Sequence, residues 1–452
     1  MVYNYYIKCQ VCGSIIRIRL QVGYLNQHPI VVSCGKCKTS LCGTVKIDQE
    51  NIGFKFEFVN ADGVTRDEIR KCEYLVECSG EFPVRKQGDE IVDSSALDTP
   101  FFSQIQAMDY DMKKIDNYYR LISKLNQTHE KWIYYKRLFD LYINKSPYFE
   151  REIKKVVTDS IVSTKTEPEK LHTVHMIEIV AFYEAMMPTV LKSHSFFDEI
   201  FRLNPVQMKL LYEFLNAHDG YRLEQMQKQI YKIYDEFIEV YPSLIPAISV
   251  QQSGEDSFDF DNKGTTTSTY ETIKQFYLDV YETLGNLMII PVAFNNICYR
   301  ENFDISDTIN SKTYTLELFI RQTKANRFYF CTNNEKYTAF LNLKYNAKLR
   351  NAIGHHDVDY DPLSQIITYV PDPKNRSQKE TEFLLQFELE SLHMFQAIIA
   401  VSEYLYRLME LKFIQDGDTI LFKEIVNKIG AYDLCPCGSG KKFKFCHKRD
   451  LL

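Results

Sequence analysis

The spacing of apolar side chains changes period along the chain, and each change predicts a different kind of element. From Ser14 to Val22 apolar and polar positions alternate, ending at Gly23. Ile30, Val31 and Val32 form a short apolar run after His28-Pro29, and Phe54, Phe56 and Phe58 alternate with Lys55 and Glu57. A period of two lines one face of a strand, so these stretches predict half-buried strands. Asp62-Gly63 predicts a turn. Tyr74 to Glu77 and Phe82 to Arg85 predict further short strands, which makes residues 1–99 a mainly β module.

From about Phe101 to Tyr241 the period becomes helical. Met112, Ile115, Tyr119, Ile122 and Leu125 share one face, and Leu138, Leu141 and Tyr142 continue it. Leu203-Asn204-Pro205 predicts a helix start, with Asn204 as cap and proline in the first helical position. The Tyr and Phe stripes of residues 100–250 read as core. Gln251 to Thr269 loses the period and becomes polar, acidic and rich in Ser, Thr and Gly, which predicts a linker at 251–269. Helical spacing returns at Ile273, Phe276, Tyr277, Val280 and Leu284 and is expected to bend or stop at Pro291. Further helices are predicted over Tyr314 to Lys324, from about Asn334 through Leu349, and from about Ser377 to Phe413. The fold class is multidomain α+β: a β module, a central helical region and a helical bundle over 270–415.

The chain has 452 residues, an ordinary apolar content of 45% and a formal charge of −6, so any contact with nucleic acid needs a local patch. The N-terminus has no signal-peptide layout and no apolar run reaches membrane-spanning length, which predicts a soluble, cytoplasmic protein. Twelve cysteines in such a compartment point to metal before disulfides.

Two groups of cysteines have ligand spacing. Cys9-x-x-Cys12 and Cys34-x-x-Cys37 are separated by 21 residues. Each pair can present two thiolates from a tight turn, and four thiolates close a tetrahedral zinc site with no open position, which is structural rather than catalytic. Gly13 and Gly35 are expected to free the two turns. Lys8, Arg17, Arg19, Lys36 and Lys38 are expected to offset the charge of this zinc ribbon. Cys42 reads as a spare thiol and His28 as a loop residue. At the other end, residues 431–452 hold Cys435-Pro436-Cys437, then Cys446-His447, in CPCGSGKKFKFCH. This stretch is similar, nearly residue for residue, to the SEC-C zinc motif at the tail of the preprotein translocase ATPase. The resemblance implies a second structural zinc held by Cys435, Cys437, Cys446 and His447. It also implies partner binding, because the translocase tail contacts a chaperone. Lys441, Lys442, Lys444, Lys448 and Arg449 make that tail basic, a patch suited to an acidic protein, a ribosome or RNA phosphates. His172, His175 and Glu178 fall at i, i+3 and i+6, without the arrangement of a zinc hydrolase.

The remaining chemistry sits in LRNAIGHHD, Leu349 to Asp357, at the predicted end of a helix. On an unbroken helix Arg350 and His355 would point ~140° apart. If Gly354 takes a left-handed conformation, the backbone reverses there and the imidazole swings back toward the guanidinium. A fixed cation beside an imidazole suits a phosphodiester: one group holds negative charge while the other moves a proton. The plain alternative is that Arg350, His355 and Asp357 only cap a helix. Arg350-Asn351, three residues, then His355 resembles the motif of the HEPN superfamily, many of whose members are metal-independent endoribonucleases acting as toxins or in antiviral defence. The resemblance spans roughly 270–415. It implies a two-fold homodimer around RNA, with Arg350, Asn351 and His355 as catalytic residues, His356 as the alternative base, and a 2′,3′-cyclic phosphate product. The rival expectation is a zinc-binding adaptor whose bundle only dimerises.

Overall fold

The computed structural model describes residues 1–48, 53–87, 99–156, 164–182, 198–309, 312–331, 335–341 and 343–448. The N-terminal strands are β1 (Val2–Cys9), β2 (Ile15–Gln21), β3 (Gln27–Ser33), β4 (Ser40–Asp48), β5 (Gly53–Phe58), β6 (Ala61–Gly63), β7 (Cys72–Ser79) and β8 (Val84–Arg85). Short strands β9 (Lys263–Gly264), β10 (Ile305–Ile309), β11 (Lys312–Thr315), β12 (Val358–Asp361), β13 (Ile366–Tyr369) and β14 (Glu380–Phe383) follow later. The helices begin with α1 (Pro100–Ala107), α2 (Met112–Ile143), α3 (Phe149–Val156), α4 (Glu167–Phe182), α5 (Pro205–Ala217) and α6 (Leu223–Ser253). They continue with α7 (Tyr270–Leu287), α8 (Ile289–Arg300), α9 (Leu316–Arg321), α10 (Ala347–Gly354), α11 (Leu384–Gln415) and α12 (Thr419–Ile425).

The chain forms two compact units, each discontinuous in sequence. The first takes Met1–Ser123, Phe237–Leu278 and Asn346–Leu392; the second takes Lys124–Glu236, Asp279–Tyr345 and His393–Leu452.

In the first unit β6, β1, β2 and β7 form one sheet, in which β1 and β2 are antiparallel and β7 runs parallel to β2. β3, β4 and β5 form an antiparallel sheet. Ile7, Ile16, Ile18, Leu20, Ile30 and Leu41 are fully buried in their shared core. The alternation in β2 predicted a half-exposed strand, yet Arg19 is buried as well. Its guanidinium donates to Glu77 on β7 at 2.7 Å, and this pairing lets a charged position turn inward.

The stretch 251–269, expected as a linker, is tied down in this unit. α6 runs on to Ser253, and β9 pairs with β8. Phe258 and Phe260 pack on Ala247, Val250, Leu385 and Leu389. Thr265, Thr266, Thr267 and Ser268 are buried because their hydroxyls find partners: Thr267 donates to the Ser243 carbonyl at 2.7 Å, and Ser268 to the Glu388 carboxylate. Buried polar groups are tolerated when they are hydrogen-bonded, and composition alone cannot reveal that.

The second unit is mainly helical. Trp132, Phe139, Phe182, Tyr234 and Phe395 make a buried aromatic cluster, so the stripes of the central region are core. Asn204 caps α5 as predicted, accepting from Val206 N at 3.1 Å and Gln207 N at 3.4 Å. The helical run does stop near Pro291: α7 ends at Leu287, four residues before it, and α8 restarts at Ile289 with Pro291 in its first turn, where the missing N–H costs nothing. The helix predicted over Tyr314 to Lys324 is shorter, because Lys312–Thr315 pairs as strand β11.

Candidate active site and metal centres

The N-terminal ligand pairs sit where strands turn. β1 ends at Cys9, whose carbonyl accepts from Gly13 N at 2.9 Å; Gly13 has φ +72. β3 leads into Cys34, whose carbonyl accepts from Lys38 N at 2.8 Å. Here the left-handed residue is Lys38, φ +59, and not Gly35. Gly35 matters for a different reason: a Cβ there would lie 2.7 Å from the Tyr74 ring. The two turns bring all four sulfurs within 4.8 Å of one another. Cys9 and Cys37 Sγ are 3.7 Å apart, and Cys12 and Cys34 Sγ 3.5 Å apart. Four sulfurs at the usual zinc distance would be separated by about 3.8 Å, so the cluster fits a tetrahedral zinc of the structural kind. Thr39 holds the Cys37 thiol down to about 6, whereas burial pushes Cys34 up to about 12.

The cations expected to offset this site are mostly engaged elsewhere. Lys8 pairs with Glu68 at 2.9 Å, Arg19 with Glu77, and Lys38 with Asp361 at 2.9 Å; Arg17 donates to Asn4 at 3.1 Å. His28 is not a loop residue. It lies in β3, is fully buried, and burial pulls its imidazole down to about 4, so it remains neutral.

The C-terminal cluster is built the same way from a shorter segment. Gly438 and Gly440 both have positive φ, +70 and +74, which allows the tight wrap around Cys437. Cys435 N donates to the Lys441 carbonyl at 2.8 Å and Phe443 is fully buried beneath it. Cys437 and Cys446 Sγ are 3.6 Å apart. His447 Nδ1 is 3.3 Å from Cys435 Sγ and 3.2 Å from Cys446 Sγ, and its ring stacks on Phe422 at 4.6 Å. Three sulfurs and one ring nitrogen thus fit a second tetrahedral zinc. Within the same unit the turn rests on α5: a Cβ on Gly438 would be 3.2 Å from the Pro205 carbonyl. Lys441, Lys442 and Lys444 are exposed, beside exposed Tyr432 and Phe445; Arg449 lies outside the described residues.

His172, His175 and Glu178 do not converge on a metal. His172 Nδ1 is 2.9 Å from the Tyr406 hydroxyl, and His175 Nε2 is 3.0 Å from Glu403. Glu178 accepts from Tyr231 at 3.0 Å, Tyr234 at 3.1 Å and Ser402 at 2.8 Å. His175 and Glu178 are consumed in buried polar contacts, and the exposed His172 in its contact with Tyr406.

The Arg350 region differs most from its expectation. The preceding segment is not one continuous helix. Asn334 is outside the described residues, Ala339–Leu341 is a single 3-10 turn, and α10 begins only at Ala347, capped by Asn346 accepting from Leu349 N at 3.0 Å. Gly354 is the last helical residue and does not reverse the chain. His356 does so, with φ +59. Two bonds close the end: His356 N to the Ile353 carbonyl at 3.2 Å and Asp357 N to the Ala352 carbonyl at 2.9 Å. This is a Schellman motif with histidine in the position glycine usually takes. His355, with φ −98 and ψ 2, continues nearly helical, so within one chain it is not swung back toward Arg350. The Arg350 side chain runs along the helix: Nη1 donates to the Asn351 amide oxygen at 3.4 Å and lies 3.7 Å from where a Gly354 Cβ would be. Asn351, His355 and His356 are exposed and Arg350 is half-buried. The Asp357 carboxylate, expected to favour a charged imidazole, is held by Arg376 at 3.1 Å. β12, β13 and β14 form a small antiparallel sheet after this turn, and α11 follows.

Among the described residues no helix is long and apolar enough to cross a membrane. The SEC-C motif family matches residues 433–449. A 25-residue segment is 76% identical to the protein translocase subunit SecA of two strains of Porphyromonas gingivalis. That segment is 6% of this chain and spans 2% of the length of those curated relatives. No solved structure matches the chain. The likeness therefore concerns the C-terminal cysteine–histidine cluster, and the chain carries a SEC-C motif at its C-terminus.

Proposed function

We propose that the chain is an endoribonuclease of HEPN type, cutting RNA at the end of α10 without a catalytic metal, with the two zinc knots serving recognition or regulation. The observation that supports this reading is the gathering of Arg350, Asn351, His355 and His356 at one solvent-facing helix end. In the reaction the His355 imidazole takes the ribose 2′-OH proton, and the 2′-oxygen attacks the adjacent phosphorus. The 5′-oxygen leaves with a proton from a second imidazole, giving a 2′,3′-cyclic phosphate and a 5′-OH. Arg350 holds the charge that builds on the phosphoryl oxygens, and Asn351 positions Arg350. An imidazole can accept a proton in one step and donate one in the other. A homodimer supplies the second imidazole: two α10 ends meeting on a two-fold axis set Arg350 of each copy against His355 of the other. His356 is the alternative base. A toxin or antiviral effector acting in the cytoplasm suits such an activity.

The test is incubation of the purified protein with total RNA in EDTA, with the cut ends mapped. Cyclic phosphate ends that vanish in both Arg350→Ala and His355→Ala, with folding retained, are the expected result. Loss of cleavage on chelation while the fold persists would refute the mechanism, as would equal cutting of DNA, which lacks the 2′-OH. A second reading, a zinc adaptor that dimerises and binds a protein or ribosome, draws on the SEC-C match and the exposed lysines beside Tyr432 and Phe445. Activity unchanged in both variants favours it.

A further inference from the structure

The second unit contains a cavity of about 360 Å³. Metabolite-sized ligands occupy cavities of roughly 300–1,000 Å³. Its walls come from the end of α2, the start of α4, one face of α5, the first turn of α6 and the end of α11. Three features of the wall fix what would bind.

The mouth favours an anion. Lys145, Arg222 and Lys412 line it, against Glu167 and Glu224. Both carboxylates already have cations, Glu224 taking Lys145 at 3.2 Å and Glu167 taking Lys170 at 2.8 Å; Lys412 is likewise taken, by Asp416 at 2.8 Å, which leaves the Arg222 guanidinium as the cation for a ligand. Arg222 is exposed; its carbonyl accepts from Gln225 N at 2.9 Å and Met226 N at 3.0 Å, and its guanidinium, close enough to Asp219 to add to Gln225 in lowering that carboxyl, faces the cavity mouth. Arg222 immediately precedes the 31-residue helix α6, whose first-turn residues Leu223 and Glu224 also line the cavity. A helix start brings unsatisfied N–H groups and partial positive charge to the same place as the guanidinium.

The middle is flat and apolar. Tyr142, Tyr212, Leu223, Met409 and Phe413 supply it. The floor is Gln227, only 5% exposed. Its amide nitrogen donates to the Tyr231 hydroxyl at 2.8 Å, which donates in turn to Glu178. One N–H is used there, which leaves Gln227 a carbonyl oxygen and a second N–H, an acceptor beside a donor, as a nucleobase edge requires.

We infer that this cavity binds a nucleoside phosphate, with the base inward against Gln227 and the aromatic wall and the phosphate outward at Arg222 and the α6 start. An N–H donor, a planar ring and an anion at opposite ends of one small molecule match the three features together. The site is separate from the α10 end and does not depend on the nuclease reading.

The test is isothermal titration of the zinc-loaded full chain with AMP, CMP, GMP and UMP, and with adenosine and inorganic phosphate as controls. At least one nucleotide saturates one site per chain, and the matching nucleoside and free phosphate each bind at least tenfold more weakly. Arg222→Glu at the exposed mouth, which leaves the core untouched, weakens the nucleotide tenfold or more. Tyr212→Ala weakens it as well. The inference is overturned if none of the four nucleotides saturates, or if Arg222→Glu binds as tightly as the unaltered chain.

Discussion

Glu388 offers a quantitative check on the first unit. It lies in the first part of α11, is fully buried, and accepts one hydrogen bond, from Ser268, while its other oxygen has none. Burial raises its carboxyl from 4.5 to about 8. The group is therefore neutral in the folded chain at pH 7 and ionised in the unfolded one. The sign follows from linkage: below pH 4.5 both states are protonated and nothing is lost. As pH rises above 4.5 the unfolded state alone gains by ionising, so stability falls until about pH 8, where the folded state ionises too. At ~1.36 kcal/mol per pH unit, the penalty is about 3 kcal/mol at pH 7 and under ~1 kcal/mol at pH 5. Glu388→Gln keeps the shape and an acceptor for Ser268 and cannot ionise. It should stabilise the unit by about 3 kcal/mol at pH 7 and by less than ~1 kcal/mol at pH 5. Hydrogen exchange of the backbone over residues 384–392 reads this unit alone. Comparing variant with unaltered chain at each pH cancels any pH effect on the cysteine clusters. A gain of the same size at both pH values would refute the reasoning.

Further outcomes follow from the caps and the metal sites. Gly354→Ala should be tolerated and strengthen α10 by about 0.5–1 kcal/mol, because Gly354 is helical and a Cβ would meet only Arg350 at 3.7 Å. His356→Gly should gain about 1 kcal/mol by relieving a left-handed histidine, and His356→Val should lose stability; exchange protection of the Asp357 amide reports all three. Metal analysis should find two zinc ions per chain, with Cys9→Ser and Cys437→Ser each removing one, and a variant that kept both ions or lost both would count against two independent sites. Gly438→Ala should destabilise the C-terminal knot by about 1–2 kcal/mol, read as weaker zinc retention against a chelator, because φ there is +70 and the Pro205 carbonyl is close.

What could be read from sequence was whatever is decided locally. The two cysteine pairs, the CPC…CH tail and the Asn204-Pro205 helix start each fix their geometry within a few residues, and each forms as the spacing suggests. The Phe54, Phe56 and Phe58 strand is equally local. What failed depends on distant partners. Tyr345 has helical spacing with Leu349, but it stacks on Tyr281 at 3.7 Å and donates to that residue's carbonyl at 2.8 Å, so the chain there is extended and α10 starts two residues later. The Thr265–Ser268 run looked like a linker because its partners, Ser243 and Glu388, are remote in sequence. The choice of His356 over Gly354 as the reversing residue also escaped, since glycine is the usual occupant and nothing in the local pattern marked a histidine for it.

Helices α2, α6, α7 and α11 each divide their residues between the two compact units, and each unit draws on three stretches of chain. A shortened version that stops at residue 269 would keep the N-terminal cysteine cluster but discard residues 346–392, which belong to the same unit. One that begins at 270 would keep the C-terminal cysteine–histidine cluster and lose residues 124–236 of its own unit. Neither piece therefore holds all the residues of either unit.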